Sequence, residues 1–165
     1  TGWLAYTLSK SEQRTLGGTV GGLGINDGKW YNTPYDRTHD ISVTGTYKFN
    51  DQWDFSANAV FQTGRPVTYP DGQYEYEGLS IASFSDRNAS RLPVYHRLDL
   101  SATYSPEKNL NRKWQGEWVF GIYNLYGRQN AASINFRQNR ETLRNEALQT
   151  SIFGMVPSVT YNFKF

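Results

Sequence analysis

The stretch Asp40-Ile41-Ser42-Val43-Thr44-Gly45-Thr46-Tyr47-Lys48-Phe49 alternates at every step. Ile41, Val43, Gly45, Tyr47 and Phe49 fall on one side, and Asp40, Ser42, Thr44, Thr46 and Lys48 on the other. A period of two with one apolar side is the signature of a β-strand with one face against something apolar. The same pattern follows in 52–62, where Trp53, Phe55, Ala57, Ala59 and Phe61 oppose Gln52, Asp54, Ser56, Asn58, Val60 and Gln62. It recurs in 97–104 (Leu98, Leu100, Ala102, Tyr104) and in 158–165 (Val159, Tyr161, Phe163, Phe165). Residues 2–14 and 115–126 supply two more strands. In 115–126 both sides carry apolar residues, so its outward side stays open. The last strand is expected to begin near Leu148 and to break at Pro157, which cannot donate to a ladder. Asn139–Ala147 reads equally as a polar loop or a helical turn.

Composition narrows the class. The 165 residues carry 17 basic and 15 acidic side chains, so the balance of +2 gives no footprint for nucleic acid. The chain has 5 Trp, 12 Tyr and 9 Phe beside 48 Ser, Thr, Asn and Gln, and it uses little of the Leu, Ile and Val that fill soluble cores. No run approaches the ~20 apolar residues of a membrane helix. Alternating strands leave the mean hydropathy low, so a transmembrane barrel is compatible with this composition. The absence of cysteine removes disulfides, thiol catalysis and cysteine-based zinc sites. The opening Thr1-Gly2-Trp3-Leu4-Ala5-Tyr6-Thr7-Leu8 already reads as a strand, as expected of a piece of a longer protein.

The connections differ in length. Asn50-Asp51 reads as a two-residue hairpin turn, and 105–114 is moderate. The others, 17–36, 64–93 and 127–147, are long. Short turns on one rim and long loops on the other is the arrangement of outer-membrane barrels. A soluble sandwich also alternates, but the aromatics discriminate. Tyr47, Phe49, Trp53, Phe55, Tyr104, Trp114 or Trp118, and Tyr161, Phe163 and Phe165 all fall at strand ends on one rim, as in an interfacial girdle. Gly45, Ala57, Ala59 and Ala102 would fill a thick core poorly. The expected fold is all-β: a transmembrane antiparallel up-and-down β-barrel, with 1–165 forming one part of the barrel domain.

Several segments resemble the late barrel strands of TonB-dependent outer-membrane receptors. They are Tyr35-Asp36-Arg37-Thr38-His39-Asp40, Phe61-Gln62-Thr63-Gly64-Arg65-Pro66, Leu92-Pro93-Val94-Tyr95-His96-Arg97-Leu98-Asp99-Leu100-Ser101, and Tyr123-Asn124-Leu125-Tyr126 with Asn130. The closing Phe153-Gly154-Met155-Val156-Pro157-Ser158-Val159-Thr160-Tyr161-Asn162-Phe163-Lys164-Phe165 is similar to the last strand, particularly in Bacteroidetes members. The resemblance covers nearly the whole chain. It implies the final six strands of a 22-stranded barrel in the cell outer membrane, with the plug domain absent from this chain, and energised nutrient uptake. The implied partners are outer-membrane lipid, the rest of the barrel and its plug, TonB through that plug, the barrel-assembly machinery reading Tyr161, Phe163 and Phe165, and a surface lipoprotein. A passive porin-like channel and a barrel serving as a scaffold in an outer-membrane complex are the alternatives. A soluble sugar-binding sandwich is a further rival.

Residues for covalent chemistry are scarce. Neither His39 nor His96 has further ligands at metal spacing. Ser42, His39 and Asp40 make a hydrolase triad only on paper, with no oxyanion-hole motif. Gly17–Gly24 lacks the ending of a phosphate loop. No cofactor, metal or catalytic residue is expected. Asp40, Lys48, Asp54, Arg97, Asp99 and Glu117 are expected to face the lumen, toward the plug. The candidates for substrate contact are loop aromatics: Trp30, Tyr31, Tyr35, Tyr69, Tyr74 and Tyr76.

Overall fold

A computed structural model describes residues 1–17, 22–106, 115–139, 141 and 145–164. Trp114, Phe165 and part of the glycine-rich run lie outside the described residues, as do Arg140 and 142–144 within the expected loop or helical turn. The fold is all-β and antiparallel, with no α-helix among the described residues.

Six strands form one sheet: β1 (Gly2–Leu8), β2 (His39–Lys48), β3 (Trp53–Gln62), β4 (Tyr95–Tyr104), β5 (Gln115–Tyr123) and β6 (Val156–Lys164). They pair in chain order, each with the next, so the sheet is an up-and-down meander. The sheet is open, with β1 and β6 at its edges. The register carries one face from strand to strand. Val43 pairs with Ala59, Ala59 with Leu98, Ala102 with Phe120 and Phe120 with Val159. On β1 that face shows Leu4, Tyr6 and Leu8, while Trp3 and Ala5 lie on the polar side. This resolves β5: Trp118, Phe120 and Ile122 join the apolar face, and Glu117 and Val119 the polar one.

Among the described residues no second layer covers the apolar face. Leu4, Val43, Tyr47, Phe55, Phe61, Leu100, Trp118, Phe120, Val159 and Phe163 are all exposed. Tyr31 and Leu92 are the only buried hydrophobic residues among those described. The accessible surface is 12134 Å², against about 8,300 Å² for a compact protein of this mass. At the end nearest the β2–β3 turn, aromatic rings run in contact across strands. Trp53 lies 4.8 Å from Tyr104, Trp118 4.7 Å from Tyr161, and Tyr104 pairs with Trp118.

The connections correct four expectations. The β2–β3 turn is wider than two residues, because Lys48 pairs with Asp54 and Phe49 donates to the Trp53 carbonyl. The Asn50 carboxamide caps it by accepting from the N–H groups of Gln52 and Trp53, both at 2.8 Å. The first strand ends at Leu8, and Glu12–Gln13 pairs separately with Tyr31–Asn32. Leu148 is not in the last strand of the six-stranded sheet. It belongs to a hairpin of Ala131–Gln138 with Asn145–Ser151, so 145–147 are strand rather than helix. Pro157 sits inside β6 without ending it, opposite Ile122, and an edge strand tolerates a missing donor.

The described parts of the long loops are structured on the opposite rim. Pro70–Tyr76 and Leu79–Phe84 form a hairpin through Glu77 and Gly78, at φ 51° and 77°. Two positive φ values in succession make the tight turn that suits strand twist. The first and second long loops are pinned together: Asn26 exchanges hydrogen bonds with the Arg87 backbone, and Asn88 Nδ2 donates to the Asn32 carbonyl at 2.7 Å.

Candidate functional site

The polar face follows from the same alternation, so Asp40, Lys48, Asp54, Arg97 and Asp99 share one side of the sheet. Its side chains bond across strands. Gln62 Nε2 donates to Asp40 Oδ2 at 2.9 Å, Thr44 Oγ1 to Asn58 Oδ1 at 2.9 Å, and Asn58 Nδ2 to Asp99 Oδ2 at 3.4 Å. Arg97 Nε lies 3.0 Å from Asp99 Oδ2, although too far off line for a good hydrogen bond. Its guanidinium carbon stands 4.2 Å above the Tyr123 ring, a cation–π contact. Asp99 Oδ1 accepts from the N–H of Asn124, which is 1 % exposed and at φ 54°. That bulge ends β5 and turns the chain over the start of β4. The turn is held by Arg128 N donating to Asn124 Oδ1 at 3.2 Å and Asn130 Nδ2 donating to the His96 carbonyl at 2.9 Å.

Above this face, the ends of β3 and β5 and the segments leading into β4 and β6 enclose a cleft of about 540 Å³. Arg37, Gln62, Arg65, Tyr95, Tyr123 and Phe153 are among the residues that line it. The Tyr123 and Phe153 rings meet edge to face at 6.2 Å. Behind Arg65 the chain crosses itself closely: Leu92 N donates to the Arg65 carbonyl and Arg91 Nη1 to the Gly64 carbonyl, each at 3.0 Å. Asp36, also 1 % exposed, locks the first loop to this crossing by pairing with the Arg91 guanidinium and accepting from Ser11 N at 2.6 Å. Burial pushes the Asp36 carboxyl up, but the donors from Arg91 and Ser11 outweigh it and hold its pKa below the ordinary value.

The expected contact residues divide by exposure. Trp30, Tyr35, Tyr74 and Tyr76 are open to solvent. Tyr31 is 6 % exposed, and its hydroxyl lies 3.1 Å from Thr15 Oγ1, so its ring packs and offers no open face. Tyr69 meets Phe136 edge to face at 5.2 Å; burial raises the pKa of its phenol. None of the six lines the cleft. Arg37, Arg65, Tyr95, Tyr123 and Phe153 come from separate segments, and no local spacing marks them as neighbours. The one signal in sequence is Tyr95 two positions before Arg97, on the same face.

Tyr161 and Phe163 close β6 on the apolar face, 6.4 Å apart. The paper triad fails by alternation, since His39 lies on the apolar face with its Nδ1 3.0 Å from Tyr6 Oη, while Ser42 and Asp40 lie on the other. Among the described residues no cluster of His, Asp or Glu could hold a metal.

Neither a known protein family, nor a curated protein, nor a solved structure matches this chain.

Proposed function

We propose that this chain is wall from a transmembrane β-barrel, the last six strands of a 22-stranded TonB-dependent outer-membrane transporter that takes up a nutrient with energy from TonB. The observation that carries the reading is an apolar face rich in exposed large side chains set against a hydrogen-bonded polar face on the same sheet. In water such a face is a severe aggregation hazard. Against hydrocarbon it is the stable side, and small residues such as Gly45, Ala57 and Ala59 are acceptable there.

Five of the six strand lengths agree. β2 to β4 have 10 residues each, and β5 and β6 have 9, within the ~9–11 of a tilted spanning strand, while β1 has 7. The aromatic contacts at one end suit a headgroup boundary. The two unpaired edges require further strands, because each unsatisfied backbone group in lipid costs several kcal/mol. The number 22, the plug, the TonB coupling and a surface lipoprotein partner rest on the family resemblance. The polar face would then look at the plug, and the structured loops at the outside.

The test is topological. An epitope tag at Gly78, the tip of the long hairpin, should bind antibody on intact cells, and a tag at Asp51 only after the outer membrane is permeabilised. Equal labelling of both sites on intact cells would overturn the membrane reading. Steady ion conduction by the purified protein in planar bilayers would replace the gated transporter with a passive channel.

A further inference from the structure

We propose that the rim cleft binds a small organic anion: a flat apolar ring bearing a carboxylate or phosphate group. The charge argument rests on Arg65. Among the described residues it has no acidic partner, and its Nη2 donates only to the Ala132 carbonyl at 2.9 Å. Arg37 faces the same space, and its carboxylate, Asp40, is 3.8 Å away and already accepts from Gln62. The other guanidinium groups nearby are committed, Arg91 to Asp36 and Arg97 to Asp99. The cleft lining therefore carries excess positive charge with free N–H donors, which suit the planar or tetrahedral oxygens of an anion.

The rest of the lining is mainly apolar, with Thr63, Asn124 and Asn130 as its polar members. Leu92 and Pro93 belong to that apolar lining, and Tyr123 with the 60 % exposed Phe153 present an aromatic corner. An edge-to-face pair with one ring still open accepts a third ring. The volume of about 540 Å³ lies within the range of small-molecule sites. A bare inorganic anion leaves the aromatic corner unused, and a neutral ring leaves the arginines unpaired. The proposal rests on the transporter reading only in making this anion the cargo.

The probes are phenyl phosphate, benzoate, inorganic phosphate and phenol, titrated by calorimetry into the detergent-solubilised protein. Phenyl phosphate and benzoate should bind at least about tenfold tighter than either inorganic phosphate or phenol. R37Q, which breaks no backbone contact, and F153A should each weaken phenyl phosphate by about tenfold. R65Q should do the same, with R65K recovering part of the loss, whereas a mere packing role for Arg65 predicts no recovery. Phenyl phosphate binding no tighter than phenol, or unchanged in R37Q and R65Q, overturns the proposal. Quenching of tryptophan fluorescence by brominated lipid in vesicles is read in parallel. Ring-anion binding without quenching leaves the cleft standing and removes the membrane reading; quenching without binding does the reverse.

Discussion

The phenol of Tyr161 lies over Gly116, with its oxygen 2.2 Å from where a β-carbon on that glycine would stand. The ring can settle there, beside Trp118 at 4.7 Å, because the neighbouring strand offers no side chain at that point. An aromatic ring covering a strand glycine repairs the gap and fixes the pairing of the two strands.

Alanine at Gly116 should push the Tyr161 ring off Trp118 and cost about 0.5–1.5 kcal/mol, the worth of an aromatic pair. Y161A should cost a similar amount. The G116A/Y161A double variant should lose little more than Y161A alone, since both act through one contact. Urea unfolding in lipid vesicles measures all three, and strict additivity would refute the coupling.

Gly64 and Gly45 make a contrasting pair. A β-carbon on Gly64 would stand 1.7 Å from the Leu92 carbonyl oxygen, and backbone cannot swing aside as a phenol can. G64A should therefore open the crossing that carries Arg65 and cost about 3 kcal/mol. Gly45 has nothing within 4 Å of its β position, so G45A should stay within about 0.5 kcal/mol of wild type. The same unfolding measurement decides between them, and equal losses would contradict the geometry.

Ala59 and Asn58 are adjacent in β3 and face opposite ways. On the proposed membrane reading, A59R should cost about 2–4 kcal/mol, the penalty for arginine near a bilayer midplane. N58R should cost about 1 kcal/mol, from hydrogen bonds lost to Thr44 and Asp99. Comparable losses at the two positions would show that both faces meet the same medium.

The Asp36–Arg91 pair gives the loops a pH dependence of known sign. The folded pKa of Asp36 is lowered from its unfolded value near 3.9. Its contribution is therefore fully present above about pH 5, shrinks as the pH falls through 3.9, and is gone below the folded pKa. D36N should remove the acid-dependent part. It should also loosen the contact of the first and second long loops by about 1–3 kcal/mol, less than for a fully buried pair because the Arg91 side chain is 31 % exposed. Amide hydrogen exchange at Ser11 and Leu92 between pH 3 and 6 measures this. A pH profile identical in wild type and D36N would exclude the carboxylate as its source.

Reading faces from the chain worked best where one side is polar without exception. Asp40–Phe49 states its two sides outright, and pairing with β3 and β4 preserves them. β5 could not be read alone, because Val119 and Tyr123 are apolar on the side that carries Glu117. Its register against Ala102 settles the matter. The hairpins within the loops escaped notice for a related reason: Pro70–Phe84 meets no core on either side, so selection for alternation is absent. Tyr31 reads as a solvent-facing ring in sequence because its partner Thr15 lies 16 positions away.

Alternation is a local property, since successive side chains on a strand must point to opposite sides. The order of residues therefore sets the β class, the long alternating strands, the apolar and polar faces where alternation is clean, and the rim where the rings gather. The cleft, the Asp36–Arg91 lock and the coverage of Gly116 by Tyr161 belong to the folded chain alone. Each joins residues that lie tens of positions apart, and such meetings follow from strand register and loop crossings that no short stretch encodes.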